Sequence, residues 1–181
     1  MKNVFLFIFL LICLLGCSAA NYNTIHSAPI SILKNGSFRN GLDNWSFWGN
    51  AGNYSNKVSV LISDGKNGKY NYLRIENPGK NLIGVQQLAK VSSGSVYRLT
   101  GSARSVITND SATIFGGRIG FYLPPQKEKQ LVWTSEFNNW WKKELVFTNT
   151  VNGPATIYVH MGYGNVSSTG EFTGIKLEKL N

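Results

Sequence analysis

From about Ile32 to the C terminus, short segments of alternating apolar and polar residues follow one another, each closed by a cluster of glycine, asparagine and serine. A period of two places successive side chains on opposite faces of an extended strand. Val96–Ser105 shows it most clearly, with Tyr97, Leu99, Gly101 and Ala103 on one face and Arg98, Thr100, Ser102 and Arg104 on the other. Lys143–Asn149 turns Leu145 and Phe147 inward against Glu144 and Val146. Val58–Ile62 and Tyr72–Ile75 flank the turn Asp64-Gly65-Lys66-Asn67-Gly68. Leu82–Val91, Ala112–Leu123, Gln130–Ser135, Ala155–Gly162 and Phe172–Leu180 complete the series, and Pro124-Pro125 ends one strand and opens a basic loop. Turn residues return roughly every 8 to 15 residues and no long helix-forming run interrupts them. The pattern predicts an all-β fold, a single antiparallel sandwich with no repeat and no second domain.

The N terminus follows a different pattern. Met1-Lys2-Asn3 precedes an unbroken apolar run from Val4 to Leu15, well short of the roughly 20 residues that cross a bilayer, as expected of a signal-peptide core. Its last residues, Leu14-Leu15-Gly16-Cys17, resemble the bacterial lipobox. The resemblance implies cleavage before Cys17, acylation of that thiol and a lipid anchor in a membrane. The alternative is an ordinary secretory signal cut near Ser18-Ala19-Ala20. Residues 18–30 have no periodicity and read as a flexible tether. The expected organisation is therefore a lipoprotein signal peptide over 1–16, a lipidated tether over 17–31 and the sandwich over 32–181. Residue 18 is serine; an aspartate there resembles an inner-membrane retention signal, so an exported, lipid-anchored protein of the cell envelope is expected, at the outer membrane if the host has one.

This processing removes Cys13 with the signal and commits Cys17 to lipid, leaving the domain without a thiol for a disulfide, a metal or a nucleophile. About 165 residues remain, enough to hold one domain together by core burial. The formal charge is +9, of which the signal carries only Lys2. The basic residues are scattered, the densest groupings being Lys127/Lys129 and Lys142-Lys143, too thin for a nucleic-acid stripe. Such a charge suits anionic lipid head groups, envelope phosphates or acidic polysaccharide, or serves solubility alone. Catalysis finds little support. The histidines are His26 in the tether and His160 in the domain, too few for a metal cluster or a Ser-His-Asp arrangement. Asp43, Asp64 and Asp110 fall in turns, Glu128, Glu136, Glu144 and Glu178 look solvated, and only a meeting of Glu76 with Glu171 would offer the carboxylate pair a glycosidase needs. The chain is expected not to be an enzyme.

A family resemblance sharpens the picture. The segment Asn35-Gly36-Ser37-Phe38-Arg39-Asn40-Gly41-Leu42-Asp43-Asn44-Trp45 resembles the opening signature of carbohydrate-binding modules of families four and nine. Val85-Gln86-Gln87, then Tyr97-Arg98-Leu99-Thr100-Gly101-Ser102-Ala103-Arg104, then Trp140-Trp141 to Phe147, and a last strand Phe172–Leu180 are similar to later elements of those modules, in the same order. The resemblance implies a galactose-binding-domain-like jelly roll that takes a glycan on its concave sheet. Asn35-Gly36 and Asn40-Gly41 read as turns, and Phe38, Trp45, Tyr97, Phe147 and Trp140 as core anchors. Where the family often carries paired aspartates beside a structural calcium, this chain has Thr173-Gly174 with Glu171 nearby, so no cofactor is expected unless backbone carbonyls supply the coordination.

Sugar recognition needs flat apolar surfaces beside amide, guanidinium or hydroxyl groups. Gln87 and Arg104 are the first candidates, expected to share the face opposite the core set. Arg118 and Tyr122 alternate along one strand, Trp48 lies in a glycine-rich stretch expected as a loop, and one of the pair Trp140-Trp141 should point outward, with Trp141 the candidate. His160 and Tyr163 come late in their strand and reach the same surface in this reading, His160 alternatively being a hydrogen-bonded sheet histidine. The function expected is non-catalytic binding of a polysaccharide or oligosaccharide at the cell envelope. The alternative is a structural module that holds another envelope protein, since fold does not fix function.

Overall fold

A computed structural model describes residues 28–66, 68–79, 81–106, 116–133, 139–164 and 167–181. The expected signal peptide and tether up to residue 27, with Cys17, Ser18 and His26, and also Asp110 and Glu136, lie outside these residues. Ten strands are present: β1 (Ser46–Gly49), β2 (Val58–Gly65), β3 (Gly68–Asn77), β4 (Ile83–Val91), β5 (Val96–Val106), β6 (Gly117–Tyr122), β7 (Lys129–Trp133), β8 (Trp141–Thr148), β9 (Gly153–Met161) and β10 (Ser168–Lys179). They form two antiparallel sheets of five, ordered β1-β4-β9-β6-β7 and β2-β3-β10-β5-β8. The all-β antiparallel sandwich expected from the alternation, and the jelly roll implied by the family resemblance, are the fold of the chain. Each segment singled out by its alternation contributes a strand. The strand that the pattern does not announce is β1, an edge strand of four residues with three exposed.

The alternation works as the physics requires. In β5, Tyr97, Leu99 and Ala103 are buried while Arg98, Ser102 and Arg104 stay partly exposed. The core lies between the sheets, with Ile83, Val85, Ile119, Phe121, Ile157 and Val159 from the first facing Leu73, Ile75, Leu99, Phe172 and Leu177 from the second. Each such side chain contributes about 1.5–3 kcal/mol by leaving water.

The opening motif is structural. Asn35 and Asn44 take positive φ, as does Gly41, and the Asn35 side-chain amide donates to the carbonyls of Gly41 and Asp43 at 3.1 and 3.0 Å. The Trp45 indole N–H donates to the Asn35 carbonyl at 3.2 Å, and its ring lies 5.5 Å from that of Phe38. Phe38, Trp45, Tyr97 and Phe147 are all buried, as expected of anchors. Trp140 is not one of them. It stands half-buried on the outer face of the second sheet, its indole donating to the Tyr70 hydroxyl at 3.1 Å. The second tryptophan inside the core, beside Trp45, is Trp133 of β7.

Candidate functional site

The outer face of the first sheet is built in rows that run across its strands. One row is Trp48–Gly84–His160–Arg118, from β1 through β4 and β9 to β6. The next is Ser46–Gln86–Tyr158–Gly120–Gln130, which also reaches β7. A third continues Leu88–Thr156–Tyr122. In each of the first two rows a glycine sits beside an aromatic residue: Gly120 leaves the space that the Tyr158 ring fills, and Gly84 lets the β9 backbone come close. A Cβ on Gly120 would stand 2.0 Å from the Tyr158 ring, and one on Gly84 would stand 2.1 Å from the Val159 carbonyl oxygen and 2.7 Å from the His160 Cβ. With those positions empty, the Trp48 indole stacks on Tyr158 at 5.1 Å and 12°, and His160 approaches the two rings at 4.9 and 5.2 Å.

The polar groups around this platform are set by hydrogen bonds. The Tyr158 hydroxyl accepts from Gln130 Nε2 at 2.7 Å and donates to Glu128, which also receives the Gln130 amide at 2.8 Å. Burial, reinforced by the bond to Glu128, raises the phenol pKa well above its usual range, so it remains a donor. Burial pushes His160 down to about 4, leaving a neutral imidazole at neutral pH, with Nδ1 3.3 Å from the Met161 carbonyl. Arg118 is buried beside it, under the ring of Tyr163 at 4.0 Å.

A pocket of about 300 Å³ opens over the platform, lined by Trp48, Gln86, Tyr122, Glu128, Thr156 and Tyr158. On the other side of Gln86 a second hollow of about 510 Å³ extends past Leu88 and Ser46 toward Ile32 and Trp45. Flat rings beside amides, a carboxylate and hydroxyls are what a sugar ring requires, and Gln86 lines both hollows.

The structure brings Trp48, Arg118, Tyr122, His160 and Tyr163 together on this side of the sandwich and separates the other three candidates from them. Gln87 and Arg104 do not share a face. Gln87 has the parity of Val85 and Ala89 and points inward, where its amide donates to the Lys34 carbonyl at 2.9 Å and its carbonyl accepts the Lys34 N–H at 2.8 Å. It clamps the N-terminal segment. Arg104 lies on the outer face of the second sheet, ion-paired with Glu171 and placed over Trp140 at 4.7 Å. Trp141 lies in register with Ala103 on the opposite sheet, 47 % exposed at its edge beside Lys143. Trp48 belongs to strand β1, not to a loop.

Sequence reasoning passed over Tyr158, Gln86, Glu128 and Gln130. Tyr158 carried a signal, since it stands two residues before His160 on the same strand. Gln86 lies one position from Gln87, and only the register separates them. As for paired carboxylates, Glu171 is fully buried between Arg74 and Arg104, and Glu76 pairs with Lys57 at 3.4 Å. At the departure from the family pattern, Thr173 begins a β-bulge in β10 and its hydroxyl donates to the Asn71 carbonyl at 2.9 Å. Among the described residues, no three His, Cys, Asp or Glu side chains come together as a metal site.

No protein-family model matches the chain, and no curated protein does. Solved structures do resemble it. A family 61 carbohydrate-binding module in complex with β-1,4-galactotriose superposes with a TM-score of 0.60 at 17 % identity, over 83 % of this chain and 99 % of that one. The xylan-binding CBM22-1 domain of Paenibacillus barcinonensis Xyn10C gives 0.58 at 12 % identity, over 86 % and 97 %. A family 4 module gives 0.52 at 20 % identity, over 82 % and 99 %. At these identities the likeness establishes the fold, and the chain has the jelly roll of the carbohydrate-binding modules.

Proposed function

We propose that this chain is a non-catalytic glycan-binding protein, exported and held to the cell envelope by lipid on Cys17, that takes a polysaccharide or oligosaccharide on the outer face of its first sheet. The observation that carries the reading is the stack of Trp48 on Tyr158, opening into a hollow fringed by Gln86, Glu128 and Thr156. A pyranose C–H face packs on such a ring surface, and the amide and carboxylate can reach paired hydroxyls. Two proteins that share the fold are described with a β-1,4-galactotriose ligand and as xylan-binding, which supports a sugar as the ligand here. One carboxylate lines the platform pocket, and Glu128 is already engaged by Tyr158 and Gln130. Two carboxylates across a cleft are what hydrolysis needs, so binding without turnover fits the site better.

The test is migration of the purified chain in native gels cast with β-1,4-galactan, xylan or polygalacturonate. At least one should retard the wild type, Trp48→Ala should abolish the retardation, and Trp141→Ala should preserve it. Free migration in every gel would exclude the glycan reading and leave the protein-holding alternative. The anchor has its own check, because metabolic palmitate labelling should disappear in Cys17→Ala.

A further inference from the structure

The chain has five arginines, at 39, 74, 98, 104 and 118. Arg74 and Arg104 pair with Glu171, Arg98 pairs with Glu178 at 2.9 Å, and Arg39 is exposed to water. Arg118 is different. It is 7 % exposed, its Nε and Nη1 are buried, and neither has a hydrogen-bond partner among the described residues. A guanidinium taken out of water without an acceptor costs several kcal/mol, and proteins pair or hydrogen-bond such groups when nothing else is asked of them.

Among the described residues no carboxylate pairs with Arg118, and only the Tyr163 ring and hydroxyl offset part of its charge. Across the ladder on one side is His160, neutral because burial lowers its pKa, and on the other is Val132. Tyr158 remains protonated, and Glu128 is turned to the Tyr158 hydroxyl and to Gln130. The Tyr163 ring covers the guanidinium, and that ring is 52 % exposed, between Gly162 and Gly164, both at positive φ. A buried cation thus sits in the same cross-strand row as Trp48, at the end of the aromatic platform, beneath one ring that faces solvent.

We propose that Arg118 receives the carboxylate of a uronic acid residue, so that the ligand of the first sheet is an acidic glycan and not a neutral one. This assignment rests on the glycan reading above. A carboxylate and a guanidinium form charge-assisted hydrogen bonds, roughly twice as strong as neutral ones. Tyr163 is the group that shifts to admit the anion, and its ring then packs beside the pair. The formal charge, +9 for the whole chain and +8 (9 − 1) without Lys2 of the expected signal, attracts such a polyanion from a distance. The two unpaired nitrogens then find their acceptor in the ligand, which explains why the fold supplies none.

Titration calorimetry on the purified full chain separates the possibilities, using trigalacturonate, its carboxyl-reduced neutral counterpart and the sulfated form of that counterpart. Wild type should bind trigalacturonate at least about tenfold tighter than the neutral trisaccharide. In Arg118→Gln that ratio should fall to near one, with Arg118→Lys between the two, while the melting temperature of Arg118→Gln stays level or rises as an unpaired buried charge is removed. Equal wild-type affinity for the charged and neutral sugars overturns the acidic assignment and leaves the glycan reading intact. So does a preference that survives in Arg118→Gln, and tighter binding of the sulfated sugar overturns the carboxylate. Binding of none of the three, together with free migration in all the polysaccharide gels, defeats the glycan reading and this proposal with it. The wild-type ratio alone decides the matter if a variant does not fold.

Discussion

Gly120 and Tyr158 stand directly opposite one another on β6 and β9, and the phenol ring fills the volume that a side chain on Gly120 would occupy. The platform exists because one strand leaves a gap and its neighbour fills it. Gly120→Ala tests this. The added methyl would fall 2.0 Å from the ring carbon that bears the hydroxyl, so Tyr158 must tilt away from Trp48. We expect a loss of about 1–3 kcal/mol in stability from the forced repacking, and at least about tenfold weaker glycan binding. Thermal melts and affinity gels read the two effects. Unchanged binding in a folded Gly120→Ala would mean that the stack is not the recognition surface.

Gln87 and Arg104 carry a different expectation, that of structural residues. Gln87→Ala removes both hydrogen bonds to the Lys34 backbone and should cost about 1–3 kcal/mol in urea unfolding. Arg104→Ala takes one of two partners from the buried carboxylate of Glu171 and should cost about 1–2 kcal/mol, since the arginine itself is partly exposed. Neither should alter retardation in the polysaccharide gels. A folded Arg104→Ala that no longer binds would move the site to the second sheet.

His160 should leave its mark on stability as a function of pH. Its pKa is pushed down to about 4 in the fold, against about 6.5 in an unfolded chain. The contribution of a neutral imidazole is fully present above pH 6.5. It declines as pH falls from there toward 4, because the unfolded chain takes up the proton first, and the total is on the order of 3 kcal/mol. His160→Asn should therefore flatten the stability profile between about pH 4 and 6.5. Superimposable slopes for wild type and variant would show that the histidine does not titrate on unfolding.

Much of the fold was legible along the chain, and the reason is geometric. A strand with one buried face writes its period of two into the sequence, so β5 announces itself through Tyr97, Leu99 and Ala103, and the sandwich follows from such runs. β1 was silent because an edge strand of four residues buries too little to impose a pattern. The glycines and asparagines of the opening motif were equally legible as turns, since positive φ at Asn35 and Gly41 restricts what can stand there.

The site was legible only in part, because binding residues are chosen by how strands line up and not by what each strand contains. Trp48, Arg118, Tyr122, His160 and Tyr163 could be named one at a time as polar or aromatic groups at plausible positions. Gln87 and Gln86 could not be told apart, since a shift of one residue exchanges core for surface. That Arg104 belongs to a different sheet from Arg118 depends on which strands pair, over separations of dozens of residues. The sequence by itself determined the alternation that makes a β-sandwich, the turns of the opening motif, and the absence of any cysteine after residue 17. Tertiary structure alone decided that Gly120 makes room for Tyr158 and Gly84 for the backbone of β9, and that Arg118 ends buried without a carboxylate among the described residues. Local residues dictate each strand, whereas register between strands sets which side chains meet, and a binding surface is made of those meetings.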